Sequence, residues 1–233
     1  MTEKAKKPVA LITGVGPGTG SSLVRRFAKG GYRVAMMARD RDRLKALEDE
    51  IPGAFAVPCD VADAAALKEA VEKIDAPKVL VHNAVGGAFG TFLDIDPAIL
   101  QRNFDINVMA LLHLARLVAP SMIKAGEGAI IVTGNTSALR GKAAFAGFAP
   151  TKAAQRILTE SMARELGPKG VHVGYLVIDA AIDVPWQRQR LPNAPDDFFC
   201  QPASIADEVF HLVQQPRDAW SFLAEIRPFH EPW

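Results

Sequence analysis

The segment Thr13-Gly14-Val15-Gly16-Pro17-Gly18-Thr19-Gly20 follows an apolar run and leads straight into a helical pattern. Four glycines within seven positions let a backbone approach a pyrophosphate closely. The helix that follows offers free N–H groups and the positive end of its dipole. A tight turn without a ligand needs fewer glycines. The narrower Gly-x-Gly-x-x-Gly spacing is not met, because position 19 is Thr and position 21 is Ser. The next apolar run ends in Ala38-Arg39. There a guanidinium matches a phosphate in charge and fork geometry. Against that, Arg39 at the surface simply solvates a loop, or is neutralised by Asp40. Other chemistries find no support. Cys59 and Cys200 have neither metal-ligand nor disulfide spacing, no His/Cys/Glu cluster exists, and no Gly-x-Ser-x-Gly elbow occurs. His113 reads as a packed or surface residue and His172 as structural, while His82, at the end of an apolar run beside the expected cofactor site, is a substitute for an Asn in a hydrogen-bonding role.

These loops need a scaffold, and the pattern supplies one. Short apolar runs at Val9–Thr13, Tyr32–Ala38, Ala54–Val57, Val79–His82, Ala129–Thr133 and Val171–Val177, with a late one near Trp220–Ile226, show little polar alternation. Strands buried on both faces read this way. Helical patterns lie between them at Ser21–Lys29, Arg41–Glu50, Ala64–Ile74, Ile99–Ala119, Lys152–Leu166 and Ile205–Gln214. Gly30-Gly31 and Gly167-Pro168 close helices, and Ser204 with Asp207 predicts the N-cap of the last one. Such alternation implies right-handed crossovers and a parallel sheet covered on both faces. The Pro-rich stretch 184–202 reads as an excursion from that sheet, since a helix and a strand resume behind it.

The 233 residues suit one domain, expected over 8–233 behind a flexible start at 1–7. Apolar residues make up 49% and charged ones 23%, which excludes a disordered chain. With 27 Lys plus Arg against 26 Asp plus Glu, the chain lacks the basic excess of a nucleic-acid or anionic-membrane binder. Apolar runs fall short of the ~18–20 residues of a membrane span. The polar start Met1–Lys7 carries no export pattern, so a cytoplasmic protein is expected.

Five segments in register resemble the short-chain dehydrogenase/reductases, over roughly residues 8–226. They are Thr13-Gly14-x-x-x-Gly18-x-Gly20, Cys59-Asp60-Val61, His82-Asn83-Ala84-Val85-Gly86, Asn107, and Thr151-Lys152-Ala153-Ala154. The resemblance implies a doubly wound, Rossmann-type α/β domain of about seven parallel strands in the order 3-2-1-4-5-6-7. It implies a nicotinamide cofactor, with Gly14, Gly16, Gly18, Thr19 and Gly20 at the pyrophosphate. Asp60 and Val61 then meet the adenine, Asn83 and Ala84 the neighbouring ribose, and Lys152 the nicotinamide ribose. Relatives that prefer NAD place a carboxylate at the end of the second strand, so Ala38-Arg39 favours NADP, with NAD second. Asn107 falls where the family organises a proton-relay water.

The resemblance also breaks. The family's proton-donating Tyr lies four residues before the Lys, where this chain has Phe148, and neither Tyr32 nor Tyr175 is near in sequence. The family's Ser falls at Asn135, with Ser137 as a substitute only if the loop shifts. Ile178-Asp179 replaces the usual Pro-Gly, and Asp183 the usual Thr; either Asp caps a turn or takes part in the chemistry. The chain is identified as an atypical branch of the family. Its catalytic set is Asn107, Lys152, Asn135, Ser137 and Phe148. Three functions stay open: NADP-dependent carbonyl or alcohol chemistry, a nucleotide-binding protein without turnover that acts as sensor or partner subunit, and a non-redox reaction in the same pocket. The substrate region falls at 184–202, 85–92, 135–145 and Phe148, and its Trp186, Leu191, Phe198 and Phe199 favour an apolar carbonyl or alcohol. Arg188 and Arg190 either hold an acidic group or face water. A homodimer or homotetramer through the helices at 99–119 and 152–166 is expected, with Trp220, Phe222, Phe229 and Trp233 packing the late strand and tail.

Overall fold

The computed structural model describes residues 7–230, so most of the expected flexible start and Trp233 lie outside the described residues. Seven parallel strands form one sheet: β1 (Val9–Thr13), β2 (Arg33–Ala38), β3 (Ala54–Pro58), β4 (Val79–His82), β5 (Gly128–Asn135), β6 (Val171–Ile178) and, after a two-stranded side ribbon, β9 (Leu223–Ile226). Their order, β3-β2-β1-β4-β5-β6-β9, is the expected one, reversing direction of travel between β1 and β4. β1, β4 and β6 are buried at every position, which is why they read as unbroken apolar runs.

Helices cover both faces. α1 (Thr19–Lys29), α2 (Arg41–Glu50) and α8 (Pro202–Gln214) enclose one core, where Phe27, Met36, Ile131 and Val209 are fully buried. On the other face α3 (Ala64–Glu72), α4 (Pro97–Phe104), α5 (Ala110–Ala125) and α6 (Ala149–Leu166) enclose a second, around Leu11, Leu80, Leu111 and Tyr175.

Three expectations are revised. The helix expected at 99–119 runs from Pro97 to Ala125, with Asp105–Met109 wound as a π turn between α4 and α5. Those 29 residues are long and apolar enough to cross a bilayer, against the sequence-based expectation, but Leu111, Leu114 and Val118 are buried against the sheet. α8 starts at Pro202, behind Gln201, so Ser204 is not its cap. Asp207 instead pairs with Arg26 of α1 at 2.6 Å. The excursion holds α7 (Pro185–Arg190) and is tied at its base by a ribbon of β7 (Ala181–Ile182) and β8 (Phe199–Cys200). His172 is buried and stacks on Trp220 at 4.9 Å, the structural role expected of it.

Candidate functional site

A cleft of about 820 Å³ opens beyond the carboxyl ends of β1, β2 and β4, where the strand order reverses. Its floor is the glycine loop. Gly14 has φ +68, and a Cβ there would sit 2.5 Å from the Ala84 nitrogen. A Cβ on Gly20 would meet the Gly14 carbonyl at 2.4 Å. A Cβ on Gly16 would meet nothing. Two glycines are thus demanded by the protein's own packing, and Gly16 only by whatever approaches the loop. Gly14→Ala should cost more than about 2 kcal/mol of stability in denaturant unfolding while Gly16→Ala costs little. Equal midpoints for the two variants would contradict this. α1 begins behind Gly18 with no side-chain cap and no acid in its first turn; the Ser21 amide bonds to the Gly16 carbonyl (2.9 Å), and Thr19 and Gly20 line the cleft at the positive end of the dipole.

Arg39 lines the cleft beyond β2. Asp40 does not neutralise it, because its carboxylate caps α2 by accepting from the Arg43 amide (3.0 Å) and pairs with the Arg43 guanidinium (2.8 Å). Arg43 also lines the cleft, a second cation that sequence reasoning missed although it stands one turn along from Arg39. On the opposite wall Asp60 accepts from the Ala62 amide (3.1 Å) and from Arg102 (2.8 Å). Burial pushes its carboxyl up, but these two donors outweigh that and hold it below the usual range.

The loop after β4 is stapled from two sides. Asn83 donates to the Gly14 carbonyl (2.9 Å) and accepts from Thr133 (3.0 Å), so its amide fixes three strand ends to one another while still lining the cleft. Asn107 sits in the π turn, where one extra residue per turn re-aims its side chain. Its amide pairs with both the N–H (2.9 Å) and the C=O (2.8 Å) of Gly86, and donates to Thr151 (2.8 Å). His82 is fully buried, with Nδ1 3.2 Å from the Thr13 hydroxyl. Burial, with the Lys152 charge nearby, brings its imidazole down to about 3, so it is neutral.

Lys152 stands behind the cleft rather than in its lining. It is 2% exposed, and its Nζ donates to the Gln155 side chain (2.5 Å) and the Thr133 carbonyl (3.1 Å). Burial alone pulls the amine down to about 7. A neutral amine has two N–H groups, and both have acceptors here. Gln155 is a residue the sequence reading passed over. One turn from Lys152 and fully buried, it also donates to the Asn107 main-chain carbonyl at 2.6 Å. Tyr175, remote in sequence, is near in space: its hydroxyl lies 3.4 Å from Gln155 Oε1. Burial pushes that phenol well above its usual range.

The remaining expected residues are scattered around this centre. Asn135 ends β5 and caps the 3-10 turn Thr136–Ala138, accepting from the Ser137 amide at 3.1 Å. Phe148, the N-cap residue of α6, is buried with its ring against Gly87. Asp183 takes a bidentate pair from Arg188 (2.7 and 2.9 Å) and a bond from Gln201 (2.8 Å). Those donors bring its carboxyl down to about 2, which removes it as a proton donor near neutrality. Asp179 is buried and pairs with Arg227 at 3.6 Å. At the excursion's root, a Cβ on Gly18 would strike Val184 at 2.5 Å, and Pro185 and Trp186 complete the cleft's rim.

Known proteins are similar to this chain in sequence and fold. The family model described as short chain dehydrogenase matches residues 8–190. The 7alpha-hydroxysteroid dehydrogenase of Escherichia coli (strain K12) is 32% identical over 227 residues, covering 91% of this chain and 88% of its own. The carbonyl reductase [NADPH] 2 of Sus scrofa is 34% identical over 167 residues, 70% of this chain and 68% of its own. A metagenomic short-chain oxidoreductase solved in complex with NADP superposes with a TM-score of 0.83 at 28% identity, covering 95% of this chain and 96% of that one. With a fold, a glycine loop and a sequence match that agree from β1 into the excursion, this chain belongs to the short-chain dehydrogenase family.

Proposed function

We propose that the protein binds NADP(H) and uses it for oxidoreduction of a small apolar carbonyl or alcohol, through a catalytic set that lacks the family's Tyr and Ser. The carrying observation is the cleft: a helix N-terminus without a side-chain cap beneath the glycine loop, and Arg39 directly after β2, with Arg43 in the first turn of α2 holding the Asp40 carboxylate in an ion pair. Relatives named as an NADPH carbonyl reductase and an NADP complex support the same cofactor. In this reading Gly14, Gly16, Gly18, Thr19 and Gly20 hold the pyrophosphate, Arg39 and Arg43 the 2′-phosphate, and Asp60 and Val61 the adenine. Asn83 and Ala84 border the ribose, and Lys152 acts from behind it. The bound cofactor supplies or accepts hydride; the protein's residues orient it and exclude water. Consumption of NADPH over a panel of ketones and aldehydes tests the reading. Turnover of at least one member is expected, with NADPH preferred to NADH and the preference lost in Arg39→Ala/Arg43→Ala. Turnover that needs no nicotinamide would overturn it.

A second reading, a nucleotide-binding protein without turnover that serves as a sensor or partner subunit, draws on one observation. Phe148 has no proton to give, and the Lys152 amine is engaged within the core by Gln155 and Thr133. Cofactor binding without consumption over the whole panel would favour it.

The chain is also proposed to self-associate through the two long helices. Ile99 and Ile123 on Pro97–Ala125 and Ile157 on α6 are large apolar residues left 46%, 37% and 51% exposed. Ile157→Arg should shift the protein to monomer in light scattering. A wild-type monomer would contradict the proposal.

A further inference from the structure

Three segments meet beside the cleft, whose lining takes Val85 from the first and Trp186 from the third: the loop after β4, the loop between the 3-10 turn and α6, and α7. The first two are tied by a bridge between Gly90 and Phe145, with the Gly90 amide on the Ala144 carbonyl (2.9 Å) and the Ala146 amide on the Gly90 carbonyl (3.2 Å). Above that bridge Phe89 and Phe145 pack edge to face at 5.2 Å. The Arg190 guanidinium of α7 lies 5.1 Å from the Phe89 ring centre, and the Lys142 ammonium 5.8 Å from that of Phe145. The result is an aromatic pair with one cation on each side. Phe89 is 57% exposed, and Trp186, one turn before Arg190, is 55% exposed while lining the cleft.

The charges here are uncompensated. No Asp or Glu occurs between Glu127 and Glu160, the stretch that contributes Lys142 and Phe145. Arg190 pairs with no carboxylate among the described residues, whereas Arg188, two residues earlier, is saturated by Asp183 and Asp196. In a chain of net charge +1, two cations without a carboxylate partner beside one aromatic pair are a local excess; the acids of the loop after β4 are engaged elsewhere, Asp94 accepting from the Thr91 hydroxyl and Asp96 capping α4. A cation over an aromatic face keeps its head beside apolar surface, where its attraction for an anion is less screened than in bulk water. Apolar walls with a few placed charges are how small-molecule sites fix orientation.

We propose that the mouth selects a carbonyl or alcohol substrate whose apolar body ends in an anionic group. Phe89, Phe145 and Trp186 take the body, and Arg190 with Lys142 receives the anion. This rests on reading the cleft as the nicotinamide site, which places the reacting carbon inward and the anion at the rim.

Calorimetric titration with 5-oxo-5-phenylpentanoate and with its methyl ester separates the charge from the shape. At low salt the acid should bind about tenfold tighter than the ester, a difference of ~1.4 kcal/mol. That advantage should fall towards onefold in Arg190→Gln/Lys142→Gln and stay intact in the remote control Lys29→Gln/Lys124→Gln. An acid that binds no tighter than the ester, or fails to bind, overturns the proposal. So does an advantage that survives the mouth variant, or an acid displaced by excess inorganic pyrophosphate, which would place it in the cradle at α1. NADPH is titrated separately into the same proteins: failure there counts against the cofactor reading, and the acid–ester comparison stands on its own.

Discussion

Phe148→Tyr combined with Asn135→Ser is expected to raise NADPH-dependent ketone reduction by about 10²–10⁴-fold, equivalent to ~3–5 kcal/mol of barrier. Phe148 stands four residues before Lys152, on the same side of α6, and its ring already lies against the Gly87 segment that borders the cleft. In the proposed reading, a hydroxyl on that ring supplies the acid. Asp183 is ion-paired and titrates at about 2, and Tyr175 donates into the core rather than towards the cleft. Asn135→Ser should cost little stability, since Ser is as good an N-cap for the turn that Asn135 now caps. A stopped assay over the ketone panel reads the gain. An inactive wild type with an active double variant means that the native site binds without turnover. A wild type that turns over, and loses this in Lys152→Ala while keeping cofactor, means that proton transfer is routed without Tyr. No gain over either background would show that the Phe148 position does not face the reacting oxygen.

The second large effect concerns Lys152. Its amine falls from 10.5 to about 7 on burial, so the folded chain holds fewer protons than the unfolded one through that interval. Stability should therefore climb as pH rises from about 7, and the penalty should be fully present below that. At ~1.4 kcal/mol per pH unit, the gain between about pH 7 and 8.5 is roughly 2 kcal/mol. Cys59 and Cys200, whose thiols burial pushes above the usual value of 9.0, pull the other way only at higher pH, so the window stops short of them. Lys152→Met should flatten the slope in urea unfolding followed across that window. A wild-type protein equally stable at both ends would mean that the amine keeps its proton in the fold.

How far the sequence carried depends on the range of each interaction. The strands were legible because burial on both faces leaves runs such as Val79–His82 no polar alternation. The glycine loop was legible because Gly14 and Gly20 answer to backbone contacts within the loop and its neighbour strand. What stayed hidden was non-local or depended on one extra residue in a turn. The π turn at Asp105–Met109 leaves the apolar periodicity of its helix almost unchanged, yet it sets the Asn107 amide on Gly86. Tyr175 is separated from Lys152 along the chain but packs behind it, because β6 runs beneath α6. Gln155 looked like one polar residue on a helix; only the fold shows that it joins the Lys152 amine to the Asn107 carbonyl. Asp183 offered a carboxylate near the expected chemistry, and Arg188 and Gln201 turn it into a brace for the excursion.

The cofactor cleft is the claim on which the rest depends, and calorimetric titration of the wild-type chain with NADPH, beside NADH, tests it most directly. Saturable binding with one NADPH per chain is expected, tighter than NADH by a margin that shrinks as salt screens the Arg39 and Arg43 charges. No saturable heat with either nucleotide at concentrations up to about millimolar, where binding would be worth only ~4 kcal/mol, would contradict the account.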